Sequence, residues 1–107
     1  MTILGQDVEA IIQRVVALIK PEKVFLFGSR VAARGDSQTD VDLLIIVPDP
    51  VGDRQQQQNE LRRVLAGDRP LVDPWIMGRL EFEETRNVVG GLAYPATHEG
   101  LLVYERS

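Results

Sequence analysis

The sequence predicts an α/β or α+β domain built on a small sheet. Three observations point there. Apolar residues recur at helical spacing near the start of the chain. Two short β-prone runs follow, Val24–Phe27 and Val41–Val47. Helical and extended patterns then alternate to the end. The 107 residues are expected to form one domain, 1–107.

Val8, Ile11, Ile12, Val15, Val16 and Ile19 mark a helix over about residues 7–20, with Asp7 as its N-cap and Pro21 as its stop. Val24–Phe27 reads as a buried strand that Gly28 breaks. Residues 30–39 are polar, with Gly35 as a turn. Val41–Val47 is almost wholly apolar, so both of its faces should be covered. Asp53 to Leu65 reads as a helix, with Gly67 just past its end. Its Gln55–Gln58 run is polar on every side and is expected to be a solvated first turn, with a partner-facing surface as the alternative. Leu71–Met77 is a third strand, and Pro74, lacking an N–H, implies that it lies at a sheet edge or pairs unevenly there. Leu80–Asn87 is a short helix, and another follows near Pro95–Glu99 with the proline in its first turn. Leu101–Tyr104 closes the chain as an extended segment.

Composition narrows the function. With no cysteine, disulfides and thiolate metal sites are excluded, and a single histidine argues against a histidine-rich zinc site. The net charge of −4 makes duplex nucleic acid a poor default partner. No apolar run reaches the length of a membrane span, and the start "MTILGQDVEA" lacks a basic region followed by an apolar stretch. A cytoplasmic protein without membrane attachment is expected.

The chemistry concentrates between Phe25 and Val47. Asp40 and Asp42 stand two apart at the start of a strand, so both carboxylates face the same way and repel each other. Hard divalent cations take oxygen ligands, and Mg²⁺ is typically held by one or two carboxylates plus substrate phosphates. On its own the pair also fits two solvated aspartates. Gly28-Ser29 ends the preceding strand, where turn N–H groups can cradle phosphate oxygens, and Arg30 follows. No lysine-containing Walker motif is present.

The combination is more specific than its parts: Gly28-Ser29, ten residues, then Asp40-Val41-Asp42 leading into an apolar strand. It resembles the signature of the polymerase-beta-like nucleotidyltransferases, and among them the minimal nucleotidyltransferases, small proteins often paired with HEPN toxins. "VFLFGSR", "DVDLLIIV" and the tail "FEETRNVVGGLAYPATHEGLLVYERS" extend the likeness over nearly the whole chain. The resemblance implies a small mixed sheet flanked by helices. It also implies a third carboxylate on a later strand, matched by Asp73 in "RPLVDPWIM". Pro74 stands where an apolar residue is more usual, and Thr39 where serine is common.

The implied mechanism is two-metal nucleotidyl transfer. Asp40, Asp42 and Asp73 would hold two Mg²⁺ ions, with Asp73 receiving the acceptor's proton. Gly28, Ser29 and Arg30 would bind the triphosphate of ATP, and Arg34 could add charge. The acceptor would be a hydroxyl of a partner protein, a HEPN toxin tyrosine, making the chain an antitoxin. Two rivals stand beside this reading: a binding module that neutralises its partner by complex formation, and a small-molecule transferase acting as an oligomer. Arg34-Gly35-Asp36 is a chance tripeptide, and His98, Trp75, Tyr94 and Tyr104 are expected to serve packing or surface roles.

Overall fold

A computed structural model describes residues 5–28, 41–67 and 72–106. Helix α1 (Gly5–Ile19) comes first, then β1 (Lys23–Phe27) and β2 (Val41–Val47). Helix α2 (Arg54–Leu65) leads to β3 (Val72–Gly78). Two short helices, α3 (Arg79–Thr85) and α4 (Ala93–His98), precede β4 (Leu101–Glu105). The α/β class and the small mixed sheet expected from the sequence are present.

Helix α1 starts earlier than its apolar pattern suggested. Asp7 lies inside its first turn and not at the N-cap. Val8, Ile11, Ile12 and Val15 are buried, as the spacing required. The helix stops before Pro21. Lys20 takes a left-handed φ of 55°, and its N–H donates to Val16 O at 2.9 Å. Helix α2 is capped by Asp53, whose carboxylate accepts the Gln56 N–H at 3.0 Å.

The strand order is β3-β2-β1-β4. β1 pairs antiparallel with β2 and with β4, and β2 pairs parallel with β3. A parallel pair needs a crossover, which α2 supplies. The closing extended segment is therefore a full strand that forms one edge of the sheet.

The sheet buries both faces. On one, Leu43 and Ile45 of β2 pack with Ile11 and Val15 of α1 and with Leu61 and Leu65 of α2. On the other, Leu44, Ile46 and Phe25 pack with Phe82 of α3 and Ala96 of α4. Phe82 sits against Phe25 with ring centroids 5.4 Å apart. The four central residues of β2, Leu43–Ile46, are each at most 1% exposed, which is why that strand is apolar at every position.

At the other edge, β3 meets α2. Gln58 is buried, and its Oε1 accepts the Ile76 N–H at 2.8 Å. The Gln55–Gln58 run is thus not solvated throughout: Gln58 closes the open side of β3, an edge that would otherwise present unpaired donors. Strand N–H groups alternate in direction, so Pro74, two residues before Ile76, also directs its nitrogen away from β2. The proline's missing donor costs the β2–β3 ladder nothing. Its neighbour Asp73 keeps its place in the register.

The end of β3 is fastened to the end of β2. Asp49 accepts the Leu80 N–H at 2.8 Å, capping α3 from outside because Gly78 has no side chain to do so. A Cβ at Gly78 would lie 2.5 Å from Asp49 Oδ1.

Gln58→Met keeps the volume but leaves the buried Ile76 N–H without its acceptor. It should cost about 1–3 kcal/mol in urea denaturation. An unchanged midpoint would show that the bond contributes nothing.

Candidate active site

Topology brings three chain segments to one end of the sheet. β2 and β3 are parallel, so both begin at that end. β1 is antiparallel to β2, so it finishes there. Asp42 is the second residue of β2, Asp73 the second of β3, and the two are direct register partners. Phe27, the last residue of β1, is the partner of Asp42 on the other side. Gly28 follows at once.

Register partners place their side chains on the same face. For Asp42 and Asp73 it is the face of Leu44, Trp75 and Met77, over which α3 and α4 pack. Two carboxylates thus stand beside each other where the apolar side chains of β2 and β3 give out. Both residues are half-buried.

Gly28 makes room for one of them. Its φ is +96°, and a Cβ built there would collide with Asp42 Oδ2 and lie 3.3 Å from its Cγ. The Asp42 carboxylate therefore rests against the backbone of the turn. No other residue type allows that approach and that φ without strain. The glycine that breaks the first strand thus does more than end it: it seats Asp42.

Asp73 has a neighbour that the sequence did not single out. Arg62 of α2 reaches around the β3 edge, its Nη2 3.7 Å from Asp73 Oδ1 and its guanidinium carbon 5.8 Å from the centre of the Trp75 ring. Both charged side chains are partly open to solvent, at 39% and 49%, so the pair is worth no more than about 1 kcal/mol. The available signal was spacing. Gln58 and Arg62 are four apart on α2, on the side that meets β3. Trp75 packs at the rim of the second core, as expected for it.

Asp40, Ser29, Arg30 and Arg34 lie outside the described residues. Among the described residues no cluster of three metal-ligating side chains occurs. The two carboxylates that are described nevertheless suit a hard cation: adjacent oxygen donors on one face, one seated where a Cβ is excluded. His98 is remote in role. It bonds Asn87 Oδ1 at 3.1 Å and stacks on Tyr94 at 4.2 Å, tying α4 to the turn after α3.

Gly28→Ala should cost about 1–2 kcal/mol through its positive φ. It should also rotate the Asp42 carboxylate, the movable partner in the contact, which a crystal structure of the variant would show. A variant as stable as wild type, with Asp42 in place, would contradict this.

Known proteins share the family and the fold. A model of the nucleotidyltransferase domain family matches residues 8–90. A crystal structure of a Sulfolobus solfataricus protein assigned as a nucleotidyltransferase is similar, with a TM-score of 0.61 and 17% identity over 94% of this chain and 79% of the other. A toxin–antitoxin structure with AMP-PNP is similar as well, with a TM-score of 0.58 and 17% identity over 92% of this chain and 74% of the other. At that identity the two structures speak for the fold. No curated protein matches the chain. The family match spans most of the chain, Asp42 and Asp73 included, and the chain belongs to the nucleotidyltransferase domain family, within the polymerase-beta-like group that its glycine and aspartate spacing resembles.

Proposed function

We propose that the chain transfers AMP from ATP to a hydroxyl of a partner protein, and that the partner is a HEPN-type toxin for which it serves as antitoxin. The observation that carries the catalytic part is the register pairing of Asp42 with Asp73 beside Gly28. ATP and the toxin partner rest on the sequence resemblance. The similar toxin–antitoxin structure with AMP-PNP supports them.

Asp42 and Asp73, with Asp40, are the residues that would hold Mg²⁺. The ions, when bound, would neutralise triphosphate charge and lower the pKa of the acceptor hydroxyl. Gly28, Ser29 and Arg30 would bind the phosphates, as the sequence resemblance implies. The acceptor oxygen bonds to the α-phosphorus as the bond to the α–β bridging oxygen breaks, and pyrophosphate leaves. Asp73, at the exposed rim of the pair, receives the acceptor's proton. The sheet keeps the two carboxylates side by side throughout, so positioning is achieved by strand register and not by a mobile loop.

Label transfer tests the reading. The chain is incubated with Mg²⁺, α-phosphate-labelled ATP and lysate of its host, beside Asp42→Asn and Asp73→Asn. One protein band should be labelled by wild type, and each variant should label it more than about a hundredfold less. Both variants should melt within about 2–4 °C of wild type, since each removes one of two like charges at a half-exposed site. Labelling by the Asn variants at the wild-type rate would refute the assignment. Neutralisation of the partner by an inactive variant would favour binding without catalysis.

A further inference from the structure

Arg62 stands at the edge of β3 beside two of its side chains. Leu61, its neighbour on α2, is fully buried, which sets the position of the helix against the sheet. The Arg62 guanidinium is near both the Trp75 ring and the Asp73 carboxylate. At 3.7 Å the contact with Asp73 is long, and both side chains remain open to solvent. Such a pair breaks easily. The ring contact lets the guanidinium stay at the rim when the carboxylate is taken.

We propose that Arg62 competes with a divalent cation for Asp73: its guanidinium pairs with the carboxylate at Oδ1, and a cation that binds the same carboxylate does so against that positive charge. Arg62 thereby sets the cation concentration at which the site fills. The proposal rests on the assignment of Asp73 as a metal ligand. A guanidinium beside a carboxylate keeps that carboxylate aimed, but it also repels an incoming cation and competes for its oxygens. Removing the positive charge therefore raises cation affinity, whereas a merely structural contact would change stability and leave affinity alone.

The test uses the full chain and Mn²⁺ alone, titrated by calorimetry without nucleotide. Wild type is compared with Arg62→Met and Arg62→Gln, which remove the charge, and with Arg62→Lys, which keeps it. Methionine and glutamine are good helix formers, so α2 should persist in both. The expected result is a Kd for Mn²⁺ about fivefold lower in the two charge-removing variants, with Arg62→Lys close to wild type. The melting temperature without metal reads any structural contribution separately. Equal or weaker Mn²⁺ binding by Arg62→Met and Arg62→Gln, with binding by wild type intact, would overturn the role of Arg62 and leave the metal assignment standing. A wild-type chain that binds no Mn²⁺ would overturn both.

Discussion

In a parallel strand pair, a slip of one residue turns every side chain to the opposite face. The candidate active site depends on that constraint. Asp42 and Asp73 meet because β2 and β3 pair in one register, from Val41 with Val72 to Val47 with Gly78. A single slip would move Asp73 to the face of Leu43 and Ile45, where α1 and α2 close the core. The register is held from three directions. The apolar alternation of β2 fills both cores, Gln58 clamps the outer side of β3 at Ile76, and Asp49 fastens the far end through the Leu80 N–H. Stability and the geometry of the carboxylate pair are thus the same problem in this molecule. The two carboxylates are aligned by backbone pairing, and the residues that pin that pairing lie away from them.

The position of the site follows from the same topology. Because β1 runs antiparallel to β2, the turn that ends β1 arrives beside the start of β2. Because β2 and β3 are parallel, their starts lie together. A glycine at the end of one strand and two acidic strand starts thus come to one end of the sheet. Gly28 then admits the Asp42 carboxylate against its own backbone. Helix α2 is both the crossover that makes the parallel pair possible and the support for its edge. One side of it carries Gln58, Leu61, Arg62 and Leu65, each aimed at the sheet or its rim.

Much of this was readable in the residues. β2 was legible to the residue, because a strand covered on both faces is apolar at every position and Pro48 stops it. The edge placement of β3 was legible from Pro74, since only an edge leaves a strand nitrogen without a required partner. Asp73 was legible through the family resemblance rather than its own surroundings. Other features depend on tertiary contacts that a linear pattern does not carry. Gln58 looks like its polar neighbours until the Ile76 N–H is placed beside it. Arg62 is an ordinary helical arginine until β3 brings Asp73 and Trp75 within reach. β4 reads only as extended because its partner, β1, lies 75 to 82 residues earlier. The start of α1 was misplaced because Asp7 has the chemistry of a cap while the helix begins at Gly5.

The central claim is that Asp42 and Asp73, made neighbours by the β2–β3 register, jointly bind a divalent cation. The most direct measurement is a crystal structure of the chain grown with Mn²⁺ and a non-hydrolysable ATP analogue, with anomalous data collected for manganese. The account predicts an anomalous peak bonded to an oxygen of each carboxylate, with the triphosphate against the turn at Gly28. A bound nucleotide with no metal at the pair, or a manganese peak elsewhere, would contradict it.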